Sequence, residues 1–84
     1  MMTTETHTDK ILNNLNPQGW TRIAELRENS GLTKLQFDEA ILSLHEAGLV
    51  RLEAQPFRWR INQGDEAAAI MLGGEWRHMA RRAP

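Results

Sequence analysis

The stretch Ser30-Gly31-Leu32-Thr33 constrains the fold of this chain most, because one helical pattern ends in it and another begins. Gly31 can adopt the left-handed backbone conformation that terminates a helix. Thr33 and Gln36 have the spacing of a capping box, in which each side chain accepts a hydrogen bond from the other residue's backbone N–H. The sequence therefore predicts two helices joined by a short turn.

Apolar residues recur with helical period on both sides of this turn. The helix before it is predicted over about residues 22–29 and buries Ile23 and Leu26. The helix after it runs to Gly48, with a core face formed by Phe37, Ala40, Ile41, Leu44 and Gly48. An earlier helix is predicted to begin near Thr8, to stop before Pro17 and to bury Ile11, Leu12 and Leu15.

Two segments with strand-like alternation follow, at residues 49–54 and 57–62. In the second segment Phe57, Trp59 and Ile61 are predicted to point inward, and Trp59 is assigned to the core. Beyond them, a helix is predicted through Leu72, a kink at Gly73-Gly74, and a further helix over residues 75–82. A short strand is also predicted at Trp20-Thr21.

Helix, turn, helix and hairpin in this order resemble the winged helix-turn-helix superfamily, as found in the DNA-binding domains of prokaryotic transcriptional regulators. The matching residues are Ile23-Ala24-Glu25-Leu26, Ser30-Gly31-Leu32-Thr33, Phe37, Ile41, Leu44 and Glu46-Ala47-Gly48-Leu49-Val50-Arg51. The resemblance implies a mostly helical α+β fold with a three-helix core, a C-terminal β-hairpin wing and an extra C-terminal helical segment. It divides the chain into a flexible N-terminus (1–8), a winged-helix domain (9–62) and a helical extension (63–84).

The resemblance also implies binding to double-stranded DNA, as a small transcriptional regulator. Lys34 and Gln36 occupy the positions that enter the major groove from the third helix. Arg51, Arg58 and Arg60 occupy the wing, where they would contact phosphates. The same arginines also fit a solvated strand face with an Arg–Glu pair to Glu53, so both interpretations stay open.

The outer face of the third helix favours a different partner. Its centre is formed by Leu35, Glu39, Leu42 and Glu46, and a phosphate backbone would repel these carboxylates. This face is the basis of the alternative hypothesis, a winged-helix protein–protein interaction module. Arg27 also departs from the family pattern, which has a small residue between the crossed helices, and its stem is expected to snorkel outward.

Leu72, Trp76 and Met79 form the apolar side of the predicted C-terminal helix. Two interpretations of this side remain open, packing on the first helix or a contact between two subunits of a homodimer. Burial in a dimer would add to the core of a chain of only 84 residues.

Composition excludes several classes of function. The chain has no cysteine, and its three histidines are widely separated, so neither a disulfide nor a metal site is expected. We see no nucleophile–base pair and no phosphate-binding glycine loop, so we expect no enzymatic activity and no cofactor. The chain lacks a signal peptide and a membrane span, which predicts a cytoplasmic protein that does not bind membranes.

Charge is unevenly distributed along the chain, although the net charge is only −1. Residues 1–49 carry four basic and seven acidic side chains, a balance of −3. Residues 50–84 carry six basic and four acidic side chains, a balance of +2. Any anion-binding surface is therefore expected in the second half.

Overall fold

Four helices and five short strands make up the α+β fold of residues 5–84, the part of the chain that the computed structural model describes. The helices are α1 (His7–Asn14), α2 (Ile23–Ser30), α3 (Lys34–Glu46) and α4 (Gln63–Ala68). The strands are β1 (Thr21–Arg22), β2 (Val50–Glu53), β3 (Ile70–Leu72), β4 (Glu75–Arg77) and β5 (Met79–Arg82). A single 3₁₀ turn, Arg58–Arg60, precedes α4. Residues 1–4, half of the predicted flexible N-terminus, lie outside the described residues.

The predicted capping box at the start of α3 is confirmed. The Gln36 backbone N–H donates to Thr33 Oγ1 at 3.2 Å, and the Thr33 backbone N–H donates to Gln36 Oε1 at 3.1 Å. The predicted start of α1 was wrong by two residues. Its N-cap is Thr6, which shares a capping box with Asp9 and so satisfies N–H groups of the first turn.

Left-handed glycines end the two helices that flank the central turn. Gly31 has φ 69° and caps α2, as the sequence predicts. Gly48 has φ 76° and lies two residues beyond the last residue of α3, exposed to solvent. Its assignment to the core face of α3 was therefore wrong, because the helix ends before reaching it.

One hydrophobic core joins α1, α2 and α3 to the inner face of a three-stranded sheet. The predicted helix stripes supply most of it, and Leu12 is only partly buried. The buried apolar residues of this core are Ile11, Leu15, Ile23, Leu26, Phe37, Ala40, Ile41, Leu44, Val50, Leu52, Ala68, Ile70 and Ala80. The three-helix packing expected from the sequence is thus present.

The sheet has β5 at its centre, antiparallel to β1 on one side and to β2 on the other. Ala80 of β5 lies opposite Thr21 and Leu52 and is fully buried. The predicted strand over residues 57–62 was wrong, since β2 pairs with β5 instead. The position opposite Leu52 is fully buried, and the methyl side chain of Ala80 fits there. An indole such as that of Trp59 would overpack the core at this position.

The C-terminal region, residues 63–84, contains less helix and more strand than the sequence predicts. Only Gln63–Ala68 is helical, and the helix predicted over residues 75–82 was wrong, since this region forms β4 and β5. Gly73 and Gly74, with φ 61° and 78°, form the tight turn of the β3–β4 hairpin. No helix within residues 5–84 is long and apolar enough to cross a membrane.

Candidate nucleic-acid interface

The first turn of α3 presents the two residues predicted to enter a DNA groove. Lys34 is exposed, and its Nζ lies 3.5 Å from Oδ2 of Asp38, one turn further along the helix. Gln36 is half-buried, and its Oε1 is occupied by the capping hydrogen bond to Thr33. The local positive charge is therefore offset, and the free polar group of Gln36 is its amide nitrogen.

The outer face of α3 exposes three of the four residues that the sequence predicts for it. Leu35 is 68% exposed, and Glu39 and Glu46 are also exposed. Leu42 is half-buried and packs against the core, so its prediction as an outward residue was wrong. The remaining face is acidic, with a single prominent apolar side chain.

Arg27 points into the protein and joins three helices. Its Nε donates to the Ala68 carbonyl oxygen at 2.9 Å, and its Nη2 donates to Asp38 Oδ1 at 2.6 Å. The guanidinium carbon lies 4.5 Å from the centre of the Phe37 ring. The expectation that this side chain snorkels outward was wrong, because α4 and α3 supply an acceptor, a carboxylate and a ring face.

Two arginines lie side by side on the outer face of the sheet. Arg51 of β2 pairs directly with Arg81 of β5 in the antiparallel register, so both side chains leave the same face. The Arg81 guanidinium carbon is 5.3 Å from the ring centre of Trp20, which precedes β1. We call Trp20, Arg51 and Arg81 the basic sheet face.

Sequence reasoning missed the position of Arg81 beside Arg51 because residues 79–82 were predicted to be helical. A helix would have placed Arg81 on a C-terminal tail, away from β2. The pairing that brings it to Arg51 joins residues 30 positions apart, so no local signal reveals it.

A second basic group surrounds the 3₁₀ turn. We call residues 57–60 the aromatic arm. Trp59 is 76% exposed and Phe57 is 49% exposed, so their assignment to the core was wrong. The two rings lie 5.9 Å apart, and the Arg60 guanidinium carbon is 4.8 Å from the Trp59 ring centre and 5.3 Å from that of Phe57. Arg58, the first residue of the 3₁₀ turn, is also exposed.

The described arginines divide into two sets. Arg22 binds Asp65 at 2.7 Å, Arg27 binds Asp38 at 2.6 Å, and Arg77 lies 3.6 Å from Glu75. The other set has no carboxylate within ion-pair distance among residues 5–84, and it comprises Arg51, Arg58, Arg60, Arg81 and Arg82. Arg82 is anchored by donating to the Leu12 carbonyl oxygen at 2.8 Å. Four guanidinium groups therefore remain available for an external anion, three of them predicted from the sequence as wing residues.

An open groove of about 690 Å³ lies between the aromatic arm and the β3–β4 hairpin. Arg58 and Trp76 are among its lining residues, together with the acidic Glu66 and Glu75. His78 also lines it, and its Nδ1 accepts a hydrogen bond from the Gln55 backbone N–H at 3.1 Å. The two carboxylates make this groove a poor place for a phosphate.

The residues predicted as a dimer contact do not share a helix face. Trp76 lies on β4 opposite Met71 and is 54% exposed, whereas Leu72 packs against the core. Met79 is half-buried on β5, where its Sδ lies 3.6 Å from Gln55 Nε2. Homodimerisation therefore stays a prediction, with Trp76 as its exposed member.

Within residues 5–84 no group of three metal-ligating side chains is arranged to hold an ion. The groups that the described surface offers to a ligand are guanidinium groups without a carboxylate partner and exposed aromatic rings. Comparison with family models, curated proteins and solved structures finds no match to this chain.

Proposed function

We propose that the chain is a winged-helix DNA-binding protein that contacts duplex DNA mainly through the phosphate backbone. The three-helix core, with a capped third helix followed at once by a strand, supports this proposal. The free guanidinium groups supply the contacts, and they come from β2, β5 and the aromatic arm.

The observation that carries the proposal is the direct pairing of Arg51 with Arg81. Like charges opposite each other on neighbouring strands destabilise a sheet. Neither guanidinium has a carboxylate within ion-pair distance in the described chain. A phosphate backbone would offset this repulsion, because each arginine can donate to phosphate oxygens through a planar fork of N–H groups.

Arg58 and Arg60 extend the phosphate contacts beyond the sheet, as the wing residues of the resemblance would. In this proposal Lys34 and Gln36 add contacts from the start of α3. The exposed carboxylates of Glu39 and Glu46 are repelled by the backbone and limit how deeply α3 enters a groove. We therefore propose a small regulator whose affinity depends more on phosphates than on base sequence.

A salt titration of duplex binding tests the proposal. If each of the four free arginines contacts one phosphate, these contacts alone predict that log affinity falls with log salt at a slope of about −3.6. Replacing Arg51→Gln and Arg81→Gln together should reduce the magnitude of the slope by about 1.8. Lys10→Gln on α1 is the control, since it removes one positive charge outside the basic sheet face.

Absence of duplex binding at low salt would overturn the proposal. If the magnitude of the slope falls by the same amount per charge removed in the Lys10 variant and in the arginine variant, only the net charge of the protein determines binding. In either case the basic sheet face would have no special role.

A protein-interaction module is the second candidate, and the exposure of Leu35 favours it. This leucine is 68% exposed beside Glu39 on the outer face of α3. Leu35→Ala with Glu39→Lys should then abolish capture of a partner in a pull-down and leave the fold intact. Leu49→Ala, at a leucine 52% exposed outside α3, is the matched control. An unchanged set of captured proteins would refute this candidate.

A further inference from the structure

We propose that the aromatic arm stacks on unpaired bases, so that the preferred ligand is DNA containing unpaired nucleotides. This inference rests on the proposed DNA binding and narrows it to a class of DNA structure. It concerns residues 57–60, which the contacts of the basic sheet face do not require.

The first step is the exposure of Trp59. At 76% it is the most exposed of the large hydrophobic side chains in residues 5–84, although an indole gains much free energy from burial. Its aromatic neighbour is Phe57, with ring centres 5.9 Å apart and planes tilted by 40°. Much of the indole surface is therefore open to a flat ligand.

The second step is the charge around the indole. Arg60 lies against both rings, Arg58 directly precedes Trp59 in the chain, and neither arginine has a carboxylate within ion-pair distance in the described chain. The arm thus combines aromatic rings with two free positive charges and no acidic residue. Proteins that bind single strands use this combination, since bases stack on the rings while cations bind the backbone.

The third step is the geometry of the 3₁₀ turn. With three residues per turn, the consecutive side chains of Arg58, Trp59 and Arg60 leave the axis about 120° apart. Arg58 and Arg60 therefore leave the turn in different directions from Trp59, and the Arg60 guanidinium lies over the indole ring. In this proposal the two cations meet the phosphates before and after a nucleotide whose base stacks on the open part of the indole. A base inside a duplex is covered on both faces by its neighbours, so only an unpaired base can use this site.

The experiment compares a duplex with the same duplex carrying a central unpaired bubble. We expect the native chain to bind the bubble more tightly. Trp59→Leu should weaken bubble binding by about 5- to 140-fold, the range for losing one base–aromatic stack, and should leave duplex affinity unchanged. Because Trp59 is exposed, this variant should unfold at the same temperature as the native chain.

Trp76→Leu is the matched control, because Trp76 is also exposed but lies on β4 without a guanidinium stacked on its ring. It should retain the preference for the bubble. Equal affinities of the native chain for duplex and bubble would overturn the inference while leaving duplex binding in place. Equal losses in the two tryptophan variants would also overturn it, and failure to bind either DNA would remove the proposed function as well.

Discussion

Three arginines among residues 5–84 lie against aromatic rings, and the surroundings of two of them, Arg27 and Arg60, differ. The Arg27 guanidinium is 4.5 Å from the centre of the Phe37 ring, and the side chain is 16% exposed. The Arg60 guanidinium is 4.8 Å from the Trp59 ring centre, on a turn whose members are all exposed. Similar contacts therefore occur both inside the junction of α2, α3 and α4 and on the surface.

The difference lies in what else each arginine binds. Arg27 donates to Asp38 and to the Ala68 carbonyl oxygen, so its charge and much of its hydrogen-bonding capacity are used within the protein. Arg60 has no carboxylate partner in the described residues. A cation–ring contact by itself thus says little about role, and the remaining partners decide whether it serves the fold or an external ligand.

The two arginine–aromatic contacts should differ most in how much the removal of the aromatic ring lowers the free energy of unfolding. Phe37 has no exposed surface, so Phe37→Ala should lower the free energy of unfolding by about 3–5 kcal/mol. Phe57→Ala, at a half-exposed ring, should change it by less than about 0.5 kcal/mol. Denaturant unfolding measures both values, and similar losses would show that the aromatic arm belongs to the core.

Removing the inner guanidinium should have the next largest effect. Arg27→Ala removes the donor to the Ala68 carbonyl oxygen and the nearer of the two cations on the partly buried Asp38 carboxylate, which should cost about 2–3 kcal/mol. Arg27→Met keeps most of the apolar stem and separates packing from charge. A methionine variant as stable as the native chain would contradict the importance assigned to these hydrogen bonds.

The capping box should contribute less. Thr33 holds the first turn of α3, from which Phe37 and Asp38 reach Arg27. Thr33→Ala should lower the free energy of unfolding by about 1 kcal/mol, because the Gln36 backbone N–H loses its acceptor. Thr33→Ser retains the hydroxyl and should be close to the native chain in the same thermal or denaturant measurement; a serine variant as unstable as the alanine variant would argue against the cap.

The smallest change in stability should occur at the outer guanidinium. Arg60→Ala should change the free energy of unfolding by less than about 0.5 kcal/mol. In the salt titration this substitution should reduce the magnitude of the slope by about 0.9, the value for one phosphate contact. An unchanged slope combined with lower stability would reverse the roles assigned to Arg60 and Arg27.

The helical part of the fold could be predicted from the sequence because its signals are local. The cap at Thr33, the left-handed Gly31 and the stripe containing Phe37 and Ile41 all act within a few residues. The same holds for β2, whose alternation of buried Val50 and Leu52 with outward Arg51 is visible in sequence. These elements could be predicted without knowing which distant segments of the chain they contact.

The C-terminal region could not be predicted in the same way. Phe57, Trp59 and Ile61 alternate as a buried strand would, but β5 takes the place beside β2. The choice depends on whether Ala80 or Trp59 fits opposite Leu52, a comparison between positions more than 20 residues apart. The same limit applied to the candidate site. Arg58 and Arg60 were found from the sequence, but the pairing of Arg81 with Arg51 and the exposure of Trp59 were not.

The central position of β5 also bears on how the protein is made. A ribosome releases the helices and β2 first, so β1 and β2 lack their common neighbour until residues 79–82 emerge. During that interval both strands present unpaired backbone groups, and Val50 and Leu52 border an unfinished sheet. A nascent chain arrested before residue 79 would therefore be prone to aggregate, and the pairing of β5 with β1 and β2 completes the three-stranded sheet.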